Sequence, residues 1–502
     1  MMGEFILAID QGTTGSTALV VGKDGTTRAR HNVEFAQHFP QPGWVEHDAE
    51  EIWASVEIAC REAVRKSGVA QRDIGAIGIT NQRETTVLWD RVTRKAIHRA
   101  IVWQDRRTAA RCNALKNEVG IADAIRERTG LVLDAYFSAT KIEWLLDQVD
   151  GARKKAECGD LAFGTMDSFL VSRLTQGEVH VTDASNASRT LLMDIRHGDW
   201  SDWLLERFRV PRAVLPKIVG SAEIVGRTKG VSFLPDGVPI AGIAGDQQAA
   251  LFGQACFQKG DVKCTYGTGA FVLMNLGETP LMSRHGLVTT VAWRIAGATT
   301  FALEGSTFIA GAAVQWLRDG LGLIASASEV EALAASVPTT DGVHFVPALA
   351  GLGAPHWDQD ARGLICGLTR GTTRAHLARA TLEGIAFQVY DLVDAMRRDA
   401  GIPLSRLRVD GGAAQNNLLM QMQADLTGAV VERPVDLEST ARGAALLAGV
   451  GAGLFGLAEA SRVVQVERRF ESTATGTERQ AKVAGWRQAI DRSRGMHLSD
   501  PQ

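Results

Sequence analysis

The sequence predicts an α/β protein built as two related halves. At 502 residues it is too long for one ordinary core, so two or three domains are expected. Short apolar runs of strand length alternate with longer stretches of helical spacing. One unusual unit, a strand followed by a Gly/Thr turn and a second strand, occurs near residue 5 and again near residue 261. Two such hairpins suggest two halves facing a shared ligand.

Composition narrows the function classes. Lys+Arg 54 against Asp+Glu 57 gives a formal charge of −3, so no overall field recruits nucleic acid or acidic lipid. Phe5–Ile9 lacks a basic leader and runs straight into Asp10, which reads as a strand and not as a signal peptide. The longest uncharged run, Gly443 to Ala458, is too short to cross a bilayer, so a soluble chain is expected. The six cysteines are scattered with no C-x-x-C pair. Buried thiols in a reducing cytoplasm explain them better than a disulfide framework or a zinc site.

The first hairpin joins Phe5–Ile9 to Ala18–Val21 through Asp10-Gln-Gly-Thr13-Thr14-Gly15-Ser16-Thr17. Glycine admits close backbone approach and the hydroxyls donate, so this tip suits phosphate oxygens, although a plain polar turn is the commoner use. Asp10 at the strand end is placed to hold Mg²⁺ directly or through water. A helix near Ala49–Lys66 follows, then a buried strand, Ile74–Ile79, which leads into Thr80–Thr86 and the strand Val87–Trp89. Ile101-Val102-Trp103 repeats the pattern of apolar run and polar knot. Taken alone, Arg83-Glu84 reads as a surface ion pair of little consequence.

Val238 to Ala244 reads as a buried strand broken by Gly245, with Asp246 where a helix begins. In isolation Asp246 is more simply an N-cap than a catalytic base. The second hairpin joins Asp261–Tyr266 to Phe271–Met274 through Gly267-Thr268-Gly269-Ala270. Helices are expected at Thr307–Leu317 and Arg374–Arg398. A third strand-to-glycine turn, Leu407 to Gly412, precedes a helix through Leu418 and Leu426. Gly451-Ala-Gly453-Leu-Phe-Gly456 fits the dinucleotide pattern but follows a helix, so it lacks the setting that gives the motif its mechanism.

Several long motifs then add up. They include Ile9–Thr14, Pro42–His47, Ile77–Thr86, Thr182–Thr190, Gly242–Gly253, Tyr266–Gly269 and Leu352–Asp358, with Tyr136–Gln148 and Gly363–Glu383 as signature-like stretches. Together they resemble the FGGY carbohydrate-kinase family, and within it the members that phosphorylate glycerol. The resemblance implies two ribonuclease-H-like domains of the actin/hexokinase-like ATPase type flanking an ATP/substrate cleft. It divides them as residues 1–252, with the polyol site and first phosphate hairpin, and 253–502, with the nucleotide site. It places polyol contacts on Arg83, Glu84, Tyr136, Asp246 and Gln247, with Trp103 as an apolar wall. It places nucleotide contacts on Thr13, Thr14, Gly15, Ser16, Thr268, Gly311, Gln315, Gly412 and Asn416, and Mg²⁺ on Asp10 and Asp246. ATP and glycerol are then the small-molecule partners of a cytoplasmic enzyme opening glycerol catabolism, with a homodimer or homotetramer as the expected assembly.

The residue types suit that chemistry. An Arg fork donates and carboxylates accept, so the set saturates a neutral triol. Asp246 would accept the proton of the attacking hydroxyl, and positioning does most of the rest. Departures from the family pattern are present. Thr17 stands where glycerol-phosphorylating relatives commonly carry Arg. The stretch Arg227–Phe233 lacks the repeated glycines of the fructose 1,6-bisphosphate loop, and the activating histidine of other relatives is absent. The rival readings are a kinase for erythritol or xylulose, and an actin-like or chaperone-like ATPase that needs the phosphate hairpins but not the polyol residues.

Overall fold

The computed structural model describes residues 3–494; residues 1–2 and 495–502 of the two expected halves lie outside the described residues. The first sheet contains β1 (Phe5–Gln11), β2 (Gly15–Gly22), β3 (Thr27–Glu34), β4 (Ile74–Asn81), β5 (Gly226–Arg227) and β6 (Pro239–Gly245), in the order β5-β6-β4-β1-β2-β3. β1, β2 and β3 form an antiparallel meander, while β1, β4 and β6 run parallel. Both faces of the parallel strands are covered, which is why they read as unbroken apolar runs. Leu7 and Ile9 face helix α1 (Ala49–Ser67), and Ile6 and Ala8 face the opposite layer. Asp48 caps α1 by accepting the Glu50 N–H at 2.8 Å.

The second sheet repeats the plan. It contains β7 (Val262–Tyr266), β8 (Ala270–Gly277), β9 (Val288–Ile295), β10 (Ala298–Thr307), β11 (Arg406–Asp410), β12 (Val430–Pro434) and β13 (Val466–Phe470), ordered β9-β10-β8-β7-β11-β12-β13. Within it, β10-β8-β7-β11-β12 has the order and strand senses of β3-β2-β1-β4-β6. The duplicated hairpins of the sequence are therefore the first two strands of two sheets with one topology, as the ribonuclease-H-like expectation requires.

The remaining helices used below are α2 (Ser138–Gln148), α3 (Asp246–Gly253), α4 (Gly311–Asp319), α5 (Arg374–Ala400), α6 (Asn417–Thr427) and α7 (Ser439–Gly451). The helix expected from Thr307 starts later. Thr307 is the last residue of β10 and pairs with Ala270, and α4 opens at Gly311. No long apolar helix of membrane-spanning type occurs among the described residues. No cysteine is paired; Cys60, Cys112, Cys256 and Cys264 are buried, but Cys158 is exposed and Cys366 partly so.

Helix α7 comes from the second half of the chain yet packs on the first sheet. Ala441, Ala444, Ala445 and Ala448 meet Ile6, Ala8, Leu19, Val21, Ala76 and Ala241. The approach is so close that a Cβ on Gly78 would lie 2.1 Å from the Ala444 carbonyl oxygen, and one on Gly242 2.3 Å from the Ala448 nitrogen. Only glycine fits there.

Candidate active site

Parallel sheets bind ligands beyond the carboxyl ends of their strands. In the first sheet those ends carry Asp10 on β1, the segment after Asn81 on β4, and Asp246 directly after β6. Register aligns them, with Asp10 opposite Thr80 and Thr80 opposite Ala244.

Asp246 is the first residue of α3, and Gly245 takes the N-cap position. The Asp246 carboxylate accepts the Gln247 N–H at 2.7 Å and faces Arg83 Nε at 3.1 Å, with the side chain 30% exposed. Asp246 is thus not the N-cap residue, and its carboxylate serves Arg83 as well as one backbone N–H. Gly245 is required for another reason: a Cβ would sit 2.6 Å from Arg83 Cδ. The arginine lies across the strand end.

Arg83 and Glu84 are buried, at 2% and 1%, and are not a surface pair. Arg83 gives Nη1 to Glu304 at 2.5 Å and Nη2 to the other Glu304 oxygen at 2.8 Å, with Gln248 Oε1 a further acceptor at 3.2 Å. Arg189 Nε donates to Glu84 at 2.6 Å and Arg189 Nη2 to Glu304 at 3.1 Å. Two cations and two anions thus close on each other in a nearly buried cluster, where such bonds are strong and unmet charges costly. Burial raises Glu304, but Arg189 and Arg83 overcome it and hold the carboxyl down to about 2. Burial pushes Glu84 up, with Arg189 and Arg83 opposing. Burial opposes the charge of Arg83, and Glu304 and Glu84 restore it, holding the guanidinium firmly protonated.

The backbone at Glu84 is strained. Its φ is 61°, and Thr85 N–H closes a three-residue turn on the Arg83 carbonyl at 2.7 Å. Ser138 Oγ at the start of α2 holds the Glu84 carbonyl at 3.0 Å. The neighbouring Tyr136 ring packs edge-on against Trp103, with centroids 5.6 Å apart, and Arg189 lies over its face at 5.6 Å. Lys141, fully buried, donates Nζ to the Tyr136 carbonyl at 2.6 Å and so fixes this turn. Trp103 Nε1 donates to Thr13 Oγ1 at 3.0 Å, which joins the apolar wall to the first hairpin. Gln247 is buried, and its amide oxygen accepts from buried Lys263 on β7. All six expected polyol residues therefore converge.

The hairpins hold the expected phosphate groups less evenly. Thr13 and Gly15 are partly exposed and Thr14 exposed, at a tip braced by Gln82 Nε2 on the Gly12 carbonyl at 3.1 Å. Ser16 departs from expectation, because its hydroxyl is buried against Ser55 at 2.8 Å and faces away from the tip. In the second half, Gly311 N–H bonds the Gly267 carbonyl at 2.9 Å, seating the start of α4 on the hairpin that exposes Thr268. A Cβ on Gly311 would be 2.7 Å from that carbonyl. Gln315 is exposed on α4, and Gly412 opens to free space at the third glycine turn. Asn416 has a local task, capping α6 by accepting the Leu419 N–H at 2.9 Å.

Asp10 fits a divalent cation. Burial, then Asp246 and Glu438, push its carboxyl up to about 8, and Arg30 offsets this only in part. Its carboxylate accepts no side-chain or backbone hydrogen bond from the described residues. An uncompensated Asp10 carboxylate in the field of Asp246 suits Mg²⁺, which is commonly held by one or two carboxylates plus water and phosphate. No cluster of three or more metal-binding side chains occurs among the described residues.

Sequence reading missed Glu304, Arg189, Gln248, Lys141 and Lys263. The available signal was a lone charge inside an apolar stretch, as in Phe301-Ala-Leu-Glu304 or Val262-Lys263-Cys264. In the Arg227–Phe233 stretch Arg227 donates to the Gly237 carbonyl at 2.9 Å, the Gly230 N–H goes to Asp236 at 2.6 Å, Lys229 pairs with Glu178, and Ser232 accepts from Arg61 at 2.9 Å.

The chain is similar to known proteins over nearly its whole length. A "Glycerol kinase" of Trichlorobacter lovleyi is 59% identical over 493 residues, 98% of this chain and 99% of its own. One of Myxococcus xanthus is 56% identical, again over 98% of this chain and 99% of its own. Among solved structures, Plasmodium falciparum glycerol kinase with ADP superposes with a TM-score of 0.91 at 37% identity, covering 97% of this chain and 98% of that one. A ligand-bound xylulose kinase of Lactobacillus acidophilus, at 21% identity and TM-score 0.88 over 99% of each chain, shares the fold. Residues 5–253 match the N-terminal domain, and residues 262–452 the C-terminal domain, of the FGGY family of carbohydrate kinases. With both domains matched and near-complete similarity to its members, the chain belongs to the FGGY family of carbohydrate kinases.

Proposed function

We propose that this chain transfers the γ-phosphoryl group of ATP to a terminal hydroxyl of glycerol, giving sn-glycerol 3-phosphate and ADP. The carrying observation is what the buried Arg83–Glu84 pair leaves free. Of the five Arg83 N–H groups, Nε faces Asp246, Nη1 is used by Glu304 and Gln248, and one on Nη2 goes to Glu304, leaving a single Nη2 donor. Glu84 has one oxygen on Arg189, and its second is without a partner among the described residues. One donor and one acceptor beside the Trp103–Tyr136 wall suit a small neutral polyol. The similarity to proteins named glycerol kinase supports the same substrate.

In this reading Asp246, aimed by Arg83 and set at a helix N-terminus, takes the proton of the attacking hydroxyl. The hydroxyl oxygen forms the new P–O bond as the bond to the leaving ADP breaks. Asp10 and Asp246 would hold Mg²⁺, which supplies charge neutralisation on the phosphates when bound. Thr13, Thr14, Gly15, the Ser16 backbone, Thr268, Gly311, Gln315, Gly412 and Asn416 line the nucleotide side. The proposed division near 252/253 leaves the polyol residues and the first phosphate hairpin in one half and the remaining nucleotide residues in the other.

The test is ADP release in the presence of MgATP with glycerol, erythritol, xylulose or no acceptor. Glycerol is expected to give the fastest release by at least about tenfold, the scale of one well-placed hydroxyl contact. Equal release without acceptor would replace the kinase reading by the ATPase one.

A further inference from the structure

We infer that Glu304 is a positioning residue for the polyol, holding Arg83 in the one orientation that presents a free N–H to substrate. The inference rests on the kinase reading above. Glu304 lies on β10 of the second sheet, while Arg83 and Arg189 belong to the first half, 221 and 115 residues away. One carboxylate therefore sets the groups that face substrate from across the boundary between the halves. Its two oxygens grip both terminal nitrogens of Arg83, and one of them also takes Arg189 Nη2. Arg189 in turn holds Glu84 and covers the Tyr136 ring. Three polyol groups, Arg83, Glu84 and Tyr136, thus depend on one residue that need not touch the polyol.

The placement is specific. Glu304 is 1% exposed and sits in a strand whose neighbours Ala302 and Leu303 are fully buried. Gln248 reaches only one Arg83 nitrogen, at 3.2 Å, and its own amide nitrogen is committed to Thr290 and Val291. Among the described residues no other side chain grips both terminal nitrogens of the guanidinium. Without the carboxylate, Arg83 would be left with Asp246 at 3.1 Å and Glu84 at 4.0 Å, both on its Nε, and nothing would hold its free Nη2 donor toward the polyol.

The experiment is steady-state kinetics of Glu304→Gln and Glu304→Asp, with glycerol and ATP varied separately, beside the unaltered enzyme. Glu304→Gln keeps the shape and one acceptor but loses the charge. The glycerol KM is expected to rise at least about tenfold while the ATP KM stays within about twofold, since the lost contacts lie on the polyol side. Glu304→Asp keeps the charge but withdraws it, and should fall between. If Glu304→Gln does not fold, Glu304→Asp decides alone, by the same selective rise in glycerol KM. An unchanged glycerol KM, or equal rises for both substrates, would overturn the inference and leave Glu304 a structural ion-pair member. If the unaltered enzyme itself fails to use glycerol, the kinase reading is what falls.

Discussion

Asp246 carries the most at the scale of a single residue, because its local and chemical roles are separable. Gly245 is the N-cap, and the Asp246 side chain makes one backbone contact and one to Arg83. Asn in its place keeps an oxygen for the Gln247 N–H, and Arg83 keeps both bonds to Glu304. Asp246→Asn should therefore cost about 1 kcal/mol of stability or less. Turnover should fall by at least about 10², because an amide cannot take the proton. Thermal melting and single-turnover phosphorylation of glycerol check the two parts; near-native turnover would remove the base assignment. Lys141 offers a test of a different kind. Burial depresses its ammonium to about 8 from the ordinary 10.5, against the pull of Glu84, Asp105 and Asp134. Between those values the unfolded chain binds more protons than the folded one, so this group's contribution to stability rises with pH across that window. Lys141→Met removes the titration. Relative to this variant, the unaltered chain should gain up to about 3 kcal/mol in denaturant unfolding as pH rises from 8 toward 10.5. Parallel pH curves would mean the amine is not depressed.

Elements were more legible in the sequence than partnerships. β1, β4, β6 and α1 were found to within a residue or two, because unbroken apolar runs and a capped amphipathic stretch are local signals. The early start given to α4 has a local cause as well. Phe308, Ala312 and Trp316 keep helical spacing, but Thr307 is drawn into β10 by pairing with Ala270. Tertiary pairing outweighed spacing there. The polyol residues were legible only through the family motifs, since Arg83-Glu84 by itself looks like surface. Their burial comes from Arg189 and Glu304, more than a hundred residues away, and no spacing rule reaches that far. Ser16 shows the opposite limit. A hydroxyl in a phosphate-type turn was read as facing the tip, but alternation along β2 turns it onto Ser55 of α1.

At the scale of the whole molecule, α7 makes the two halves interdependent. It follows β12 of the second sheet yet lies on the first, directly behind the strands that end in Asp10 and Asp246. The fit relies on absent side chains, with backbone of helix and strand separated by no more than a methyl would fill. In Gly78→Ala the new carbon would sit 2.1 Å from the Ala444 carbonyl oxygen and 2.5 Å from its carbon, both backbone atoms of the helix. Backbone cannot rotate out of the way as a side chain can, so either α7 lifts or β4 bends. Overpacking of this sort costs about 1–3 kcal/mol. Gly476→Ala is the matched control, since a Cβ there meets nothing within 4 Å. Surface changes of that kind stay within about 0.5 kcal/mol. Denaturant unfolding of the two variants should separate them by the larger figure, with Gly78→Ala the less stable. Because α7 belongs to both halves, unfolding should remain a single transition followed equally by probes in each. Equal stability of the two variants would show that α7 slides on the sheet at no cost, and separate transitions would show that each half stands without it.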